Sequence, residues 1–176
     1  MSKQMRGLTE SLLELARSDN NSKEISFENI DFSALISEAI LPFEPLYYEK
    51  GLTLSCEIQD NIIVSGDSAQ LCRLADILLD NALKYSYPQT EVVVSLKKHK
   101  DYCLLSVASH GNIISKADLK NIFKRFYCVD KARNANHSYG LGLSIAESIV
   151  KEHGGRIWAE SADGVNVFRV RLNIKL

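Results

Sequence analysis

The sequence predicts an α+β fold: a two-layer sandwich in which helices cover one face of a mixed, mostly antiparallel sheet, preceded by one bundle helix. This prediction depends on the order of the segments. Segments with alternating apolar residues, which is typical of strands, come in consecutive pairs, and three longer segments repeat apolar residues at helical spacing. With 176 residues, 45% of them apolar, the chain is long enough for one globular domain with its own core.

The net charge and the cysteine content indicate which partners the chain can attract and whether its cysteines form disulfides. The chain has 21 Lys and Arg and 22 Asp and Glu, so its formal net charge of -1 provides no long-range field that attracts nucleic acid. Its four cysteines form no C-x-x-C pair, which predicts reduced thiols rather than disulfides or a metal cluster. No apolar run approaches the about 18 residues of a membrane span. We therefore expect a cytoplasmic domain without a nucleic-acid partner.

Two units are predicted along the chain, residues 1–24 and residues 25–176. The first unit has an apolar seam with heptad-like spacing followed by a polar linker. The seam consists of Met1, Met5, Leu8, Leu12 and Leu15. Because so short a seam cannot form a stable coiled coil alone, we interpret it as one helix of a helical bundle. An ordinary amphipathic helix docked on its own domain is the alternative.

In the main domain, residues with special backbone preferences delimit the first helix. Asp31 or Ser33 can cap its N-terminus, and their short polar side chains accept hydrogen bonds from free backbone N–H groups. Pro42 and Pro45 are expected to kink its end. Gly51 then stops it.

The second half of the domain contains similar signals. Ser115 and Asp118 resemble a capping box for a short helix at 119–123, whereas 127–139 is polar and irregular. Asp163-Gly164 predicts a tight hairpin turn. The other predicted elements are strands at 25–30, 52–58, 62–65, 91–98, 102–109, 156–161 and 165–174 and helices at 67–86 and 141–152, the latter stopped by Gly154-Gly155.

Two motifs carry candidate chemistry. Asn81 and Lys84, three residues apart on a helix, share one face, so an amide oxygen suited to Mg²⁺ and an ammonium suited to phosphate can meet one ligand. Tyr85 beside them offers an aromatic face to a base. The string GLGLS, from Gly140, opens a helix whose free N–H groups attract phosphate, but no βαβ unit or third glycine makes it a Rossmann motif. Either motif alone is more often a solvated helix face or a tight turn.

The order of five motifs resembles the catalytic and ATP-binding domain of bacterial sensor histidine kinases. The motifs are ILLDNALKYS, VASHGNI, IFKRFYCVD, GLGLSIAESIVKEHGGRI and NVFRVRL. The resemblance covers about residues 25–176 and implies a Bergerat-type fold. Residues 1–17 look like the second helix of the dimerisation and phosphotransfer bundle of this family. None of the four histidines has the sequence context of the phosphoacceptor, so the chain looks like a fragment without a catalytic histidine of its own.

The resemblance implies a role for each site residue. Asn81 would hold Mg²⁺, Lys84 would meet the phosphates and Tyr85 would lie against the adenine. Residues 127–139 would form an ATP lid in which Arg133 faces the γ-phosphate. The residues that would line the triphosphate are Gly140, Leu141 and Gly142, and the two lid phenylalanines of the family fall on Phe123 and Phe126.

The chain also departs from the family pattern around the base. The turn after the strand reads Ser109 to Ile113, with Gly111 retained, where the family has an Asp that binds the adenine amino group and a second glycine. Cys128 stands where an Arg is usual. Ile77 replaces a polar residue four positions before Asn81, where related ATPases have a water-activating Glu. Asn166 occupies the position of a family Ser or Thr near the base and keeps a polar side chain there.

These patterns lead to one functional hypothesis and one rival. The first is a kinase domain that binds ATP and Mg²⁺ and transfers the γ-phosphoryl group to a histidine outside this fragment. Its implied partners are its own phosphotransfer bundle, through which the parent protein would form a homodimer, and a response regulator. The parent protein is expected to be membrane-anchored. The rival is a degenerate pseudokinase that binds ATP weakly or not at all and acts through its partner surfaces.

Overall fold

Helices on one face of a five-stranded sheet form the part of the chain that the computed structural model describes, residues 26–129 and 140–175. The predicted bundle helix within residues 1–24 and the lid residue Arg133 lie outside these residues. The helices and strands are β1 (Glu28–Asp31), α1 (Phe32–Ile40), a 3-10 turn (Leu41–Phe43), α2 (Glu44–Glu49), β2 (Thr53–Ile58), β3 (Ile63–Gly66), α3 (Ser68–Tyr85), β4 (Glu91–Lys98), β5 (Tyr102–His110), α4 (Lys116–Leu119), α5 (Gly142–Glu152), β6 (Arg156–Ala162) and β7 (Val165–Asn173).

The main sheet has the strand order β2-β4-β5-β7-β6. Strands β2 and β4 are parallel, and the other three neighbouring pairs are antiparallel. Strands β1 and β3 pair separately as an antiparallel two-stranded sheet. The predicted fold class, a mixed and mostly antiparallel sheet with helices on one face, is confirmed. The separate small sheet was not predicted, because strand partners far apart in sequence leave no local signal.

Aspartate side chains cap the N-termini of α1 and α3, and the first of them is one of the two predicted candidates. An oxygen of the Asp31 carboxylate accepts a hydrogen bond from the backbone N–H of Ala34 at 3.0 Å, so Asp31 rather than Ser33 is the cap of α1. Asp67 caps α3 in the same way. Helix α1 ends at Ile40, before the two prolines, and α2 follows it as a short separate helix. Gly51 adopts a φ of 68°, which favours glycine.

The core lies between the helices and the covered face of the sheet. Helix α3 contributes its apolar face, which includes the fully buried Leu71 and Leu74. Tyr47 of α2 is also buried, and its hydroxyl donates to the backbone carbonyl of Leu79 at 2.8 Å. Burial, and then the negative charge of Asp80, raises the pKa of Tyr47, so its hydroxyl stays protonated. This bond ties α2 to the middle of α3.

The short helix after β5 begins earlier in the chain than predicted. The prediction placed it at 119–123, but helix α4 comprises Lys116–Leu119. Ser115 is its N-cap and accepts a hydrogen bond from the N–H of Asp118 at 3.0 Å. A capping residue is followed at once by the first helical turn, so the capping box itself indicated the correct start.

The C-terminal hairpin follows the prediction closely. Asp163 and Gly164 both have positive φ angles, 52° and 77°, as a type I′ turn requires between β6 and β7. The four cysteines are unpaired, and burial raises the pKa of the Cys103 thiol to about 11, so it stays protonated. None of the described helices is long and apolar enough to cross a membrane.

Candidate functional site

Asn81 lies beside the N-terminus of α5. A Cβ atom added to Gly142, the first residue of α5, would lie 3.5 Å from Cγ2 of Ile77 in α3, so these two helices meet here. Ile77 is buried in this contact. Asn81 follows one helical turn later on the same face and is half-buried. The predicted metal residue and the phosphate-binding glycine string therefore share one end of the α3–α5 pair.

The N-terminus of α5 has no side-chain cap. Its N-cap residue, Leu141, is buried, and the hydroxyl of Ser144 donates back to the Leu141 carbonyl at 2.8 Å instead of accepting from the first turn. The first-turn N–H groups are therefore without a side-chain partner from the cap. The exposed Gly142 leaves room above them. An anion such as phosphate suits this arrangement.

Lys84 is held by a carboxylate on its own helix. Its Nζ atom lies 2.6 Å from Oδ2 of Asp80, an i,i+4 ion pair in which the Lys84 side chain is one-third exposed. A second ammonium, Lys50, donates to the carbonyl of Leu83 and, at 3.3 Å, to that of Lys84. Lys50 thus stabilises the end of the helix that carries the site. The sequence did not predict this role of Lys50, because the role depends on how α2 packs against the end of α3.

The turn after β5 packs against the end of α3. Gly111 is buried, and a Cβ atom there would lie only 2.6 Å from the backbone oxygen of Tyr85. The N–H of Gly111 donates to the carbonyl of Gly164 at 3.0 Å, and the N–H of Tyr87 donates to that of His110 at 2.8 Å. Gly111 is therefore needed for close backbone approach. The Tyr85 side chain is about half exposed (48%) and accessible to a planar ligand.

Ser109 places a hydroxyl at the end of β5 on the face covered by the helices. It lies opposite Asn166 of β7 and is buried. Among the described residues, its hydroxyl has no hydrogen-bond partner, so it can bond a ligand. Ile113, in contrast, is 65% exposed, so its side chain projects outward from the turn.

Asn166 organises the turn rather than offering its amide to a ligand. Its Nδ2 donates to the carbonyl of Asn112 at 2.9 Å, and its Oδ1 accepts from the Ser161 hydroxyl at 2.6 Å. Ser161 in turn accepts from the N–H of Ile114 at 2.9 Å, and the Tyr87 hydroxyl bonds the Asn112 side chain. Sequence reasoning missed these partners because they join segments up to 54 positions apart.

The residues on either side of 130–139 are joined by a hydrogen bond. The N–H of Phe126 donates to the carbonyl of Gly140 at 2.9 Å. Gly140 has a φ of 68°, and a Cβ there would lie 2.7 Å from the Tyr127 oxygen. Phe126 is exposed and has a φ of 61°, whereas Phe123 packs partly buried against the core. Of the predicted lid, only residues 127–129 lie within the described part, and Arg133 does not.

Asp118 is expected to titrate differently when its hydrogen bonds are removed. Ser115 and then Tyr127 donate hydroxyl hydrogen bonds to its carboxylate and lower the pKa of Asp118. These contacts are therefore formed at neutral pH and are lost as pH falls through that lowered pKa. In Tyr127→Phe, we expect the pKa of Asp118 to rise towards its ordinary value in an NMR titration. Tyr87→Phe removes a hydroxyl that bonds Asn112 and should leave it unchanged.

A cleft of about 420 Å³ lies at the other end of α5, away from Asn81. Its lining residues are Phe27, Ser65, Glu152, His153, Asn173, Ile174 and Lys175. The His153 ring is engaged at both nitrogens: Nδ1 bonds the Ile149 carbonyl at 2.7 Å, and Nε2 accepts from the N–H of Asp67 at 3.0 Å. His153 thus links the end of α5 to the cap of α3, which is a structural role.

Comparison with known proteins relates this geometry to a family. A family model described as "Histidine kinase-, DNA gyrase B-, and HSP90-like ATPase" matches residues 66–176. The chain is 37% identical over 157 residues to the sensor protein DltS of Streptococcus agalactiae serotype III (strain NEM316), which covers 89% of this chain and 40% of that protein. The chain thus spans less than half the length of this curated relative.

Solved structures show the same fold. The histidine kinase AdeS of Acinetobacter baumannii superposes with a TM-score of 0.79 at 21% identity, covering 97% of this chain and 79% of that chain. The histidine kinase ThkA, solved in complex with the response regulator protein TrrA, gives a TM-score of 0.78 at 22% identity and covers 97% and 49%.

Proposed function

The chain belongs to the histidine kinase-, DNA gyrase B- and HSP90-like ATPase family, and on that basis we propose that it is the ATP-binding kinase domain of a two-component sensor protein. One observation carries the proposal: Asn81, Lys84 and the uncapped N-terminus of α5 occupy the same end of the α3–α5 pair. The curated relative is a sensor protein, and none of the comparisons favours the pseudokinase alternative.

Different groups of the site would bind different parts of Mg²⁺-ATP. The N–H groups and positive dipole end of α5 bind phosphate oxygens, and Lys84 neutralises their charge. Asn81 offers one neutral amide oxygen, a donor that Mg²⁺ accepts together with phosphate oxygens and water, so this residue would hold the ion. When bound, Mg²⁺ supplies further charge neutralisation at the phosphates. Tyr85 and Ser109 would contact the base.

The proposed reaction is a phosphoryl transfer to an external nucleophile. A nitrogen of the accepting histidine forms a bond to the γ-phosphorus, the bond from that phosphorus to the bridging oxygen breaks, and ADP leaves. Ile77 has no group that can take a proton from water, so this position does not activate water as the Glu of related ATPases does. The contribution of this chain is therefore the positioning and charge stabilisation of ATP.

We extend the proposal to the parent protein. Its phosphotransfer bundle would supply the histidine and form a homodimer, and a response regulator would receive the phosphoryl group. The complex of ThkA with a response regulator supports the second step for a protein of the same fold. Membrane attachment of the parent protein is part of this proposal.

Calorimetric titration with ATP, with and without Mg²⁺, tests the proposal. We expect saturable binding that Mg²⁺ strengthens, and transfer of labelled γ-phosphate to a separately prepared phosphotransfer bundle of the parent protein. The label should be acid-labile and depend on the presence of this chain. Absence of ATP binding at millimolar concentration would refute the proposal and favour the pseudokinase alternative.

The base contact gives a prediction about nucleotide choice. The Ser109 hydroxyl can donate or accept, so it can pair with the 6-amino group of adenine or the 6-oxo group of guanine, whereas a carboxylate only accepts. We expect weak discrimination between ATP and GTP. The double change Ser109→Asp with Ile113→Gly should tighten ATP binding roughly ten- to a hundredfold and disfavour GTP, as measured by calorimetry.

Two further variants isolate the contribution of Ser109. Ile113→Gly alone changes an exposed side chain and should have the smaller effect, and Ser95→Asp adds the same charge in the middle of β4 and should have none. If the unmodified chain already prefers ATP over GTP by tenfold or more, another group supplies the base contact, and this prediction is wrong.

A further inference from the structure

The sheet face opposite the helices carries basic and aromatic side chains. In β7, the buried Val170 and Leu172 alternate with Arg171, so Arg171 points away from the helices. Its antiparallel neighbour in β6 is Arg156, directly opposite in register. Both arginines are exposed, and like charges in this arrangement repel each other. The two guanidinium groups therefore concentrate positive charge at one place on a chain whose net charge is -1.

Neither of these two arginines forms a salt bridge with any residue in 26–129 or 140–175. The strand carboxylates on this face are otherwise engaged: Glu57 pairs with Lys97 at 3.2 Å, Glu160 lies 3.4 Å from Arg169, and Glu91 accepts from the Ser55 hydroxyl. Glu160 also accepts from Nε1 of Trp158 at 2.9 Å. The repulsion between Arg156 and Arg171 is thus not relieved by a neighbouring carboxylate.

Aromatic rings hold both guanidinium groups in place. The Arg171 group lies 4.1 Å from the centre of the Tyr102 ring, and the Arg156 group lies 5.4 Å from that of Trp158. His99 stacks on Tyr102, with 4.5 Å between the ring centres, so this ring contacts a second side chain besides Arg171. Stacking restrains the planar guanidinium groups while leaving their N–H edges available for bidentate hydrogen bonds to oxygens.

We propose that this outer-face patch, defined as Tyr102, Arg156, Trp158 and Arg171, docks an acidic segment of a partner protein. Carboxylates match the N–H edges of stacked arginines bidentately and relieve the repulsion between them. Arginine and aromatic residues are also the side chains that most often dominate protein interfaces. The patch lies on the face of the sheet opposite the helices that carry Asn81 and Lys84, so a partner could bind while the nucleotide site is occupied.

The surroundings of the patch favour a protein over a nucleic acid or a membrane. The Tyr102 ring already contacts both Arg171 and His99, and this occupancy disfavours its stacking on a base. Leu104, opposite Arg171 in β5, and Val167 are half-buried apolar residues on the same face, as in the centre of a protein interface. The formal net charge of -1 gives an extended polyanion no long-range attraction.

The chain contains its own reporter for this interaction, since Trp158 is its one tryptophan. A short synthetic peptide that alternates glutamate and leucine is titrated into the full chain while the tryptophan emission is followed, with the glutamine counterpart as control. We expect saturable binding of the glutamate peptide alone. Arg156→Gln with Arg171→Gln should weaken it at least about tenfold. Arg171→Lys keeps the positive charge but loses the planar guanidinium group. Its affinity for the glutamate peptide should lie between those of the unmodified chain and the double variant.

Matched measurements make the outcome decisive. Lys116→Gln removes one exposed charge from α4 and should not change peptide binding, and ATP affinity should be the same in all these variants. The proposal is overturned if peptide binding is absent or does not depend on the two arginines. It is also overturned if vesicles containing phosphatidylglycerol, or a single-stranded oligothymidine, bind more tightly than the peptide through the same arginines.

Discussion

Replacing Asn81 by alanine is expected to reduce phosphoryl transfer at least about a hundredfold, which corresponds to about 2.7 kcal/mol of transition-state stabilisation. Asn81 is half-buried beside the uncapped N-terminus of α5, where its amide oxygen is the proposed protein ligand for Mg²⁺. Alanine removes this oxygen. The measurement is the rate of transfer of labelled γ-phosphate to the phosphotransfer bundle, at several Mg²⁺ concentrations.

Two variants distinguish loss of a ligand from loss of structure. Asn81→Asp keeps an oxygen ligand and should retain more activity than alanine, with an altered Mg²⁺ dependence. Asn29→Ala removes an exposed amide in β1 that bonds Lys175 at 3.1 Å, far from the candidate site, and should leave transfer unchanged. If Asn81→Ala transfers phosphate at close to the normal rate and binds Mg²⁺-ATP normally, the role assigned to Asn81 is wrong.

Replacing Gly155 by alanine is expected to destabilise the fold by about 3 kcal/mol. A Cβ atom there would lie 2.4 Å from the backbone oxygen of Arg171, 2.7 Å from a methyl carbon of Leu172 and 3.0 Å from one of Val150. The Arg171 oxygen belongs to the backbone of β7, which is paired on both sides, and cannot rotate away as a side chain would. Alanine must therefore separate the end of α5 from β7.

The adjacent glycine is a matched control. Gly154 has a φ of 65°, but a Cβ there meets no atom within 4 Å, so Gly154→Ala costs only the left-handed conformation, about 1 kcal/mol. Thermal and urea unfolding of the two variants should show clearly different losses. Equal losses would mean that the backbone at Gly155 can shift, and that the close contact with Arg171 does not limit this position.

Of these two glycines, the sequence explains the role of Gly154 but not that of Gly155. The pair after α5 predicts a helix stop, and the structure confirms that α5 ends at Glu152. Only Gly154 supplies the backbone conformation of that stop, whereas Gly155 is needed because β7 passes close behind it. The first requirement is local and leaves a signal within a few residues. The second depends on the packing of a strand that begins ten positions further along the chain.

Some features of the candidate site could likewise be predicted from the sequence, whereas others depend on packing. Spacing on a single helix predicted that Asn81 and Lys84 share a face, because helical geometry relates residues three apart. That this face adjoins the glycine string, that Lys84 pairs with Asp80, and that Gly111 abuts Tyr85 are results of packing. Asn166 illustrates the limit: the resemblance suggested a residue near the base, and the structure shows its amide engaged in holding the turn.

The sequence alone thus determined the fold class, nearly all the helices and strands, the two candidates Asp31 and Ser33 for the cap of α1, and the glycine turn at Gly164. Each of these depends on interactions between residues a few positions apart, which periodicity and capping preferences reveal. The tertiary structure decided which distant side chains meet: Ser109 with Asn166, and Arg156 with Arg171. Strand register sets those encounters, and register results from the packing of the whole sheet against its helices.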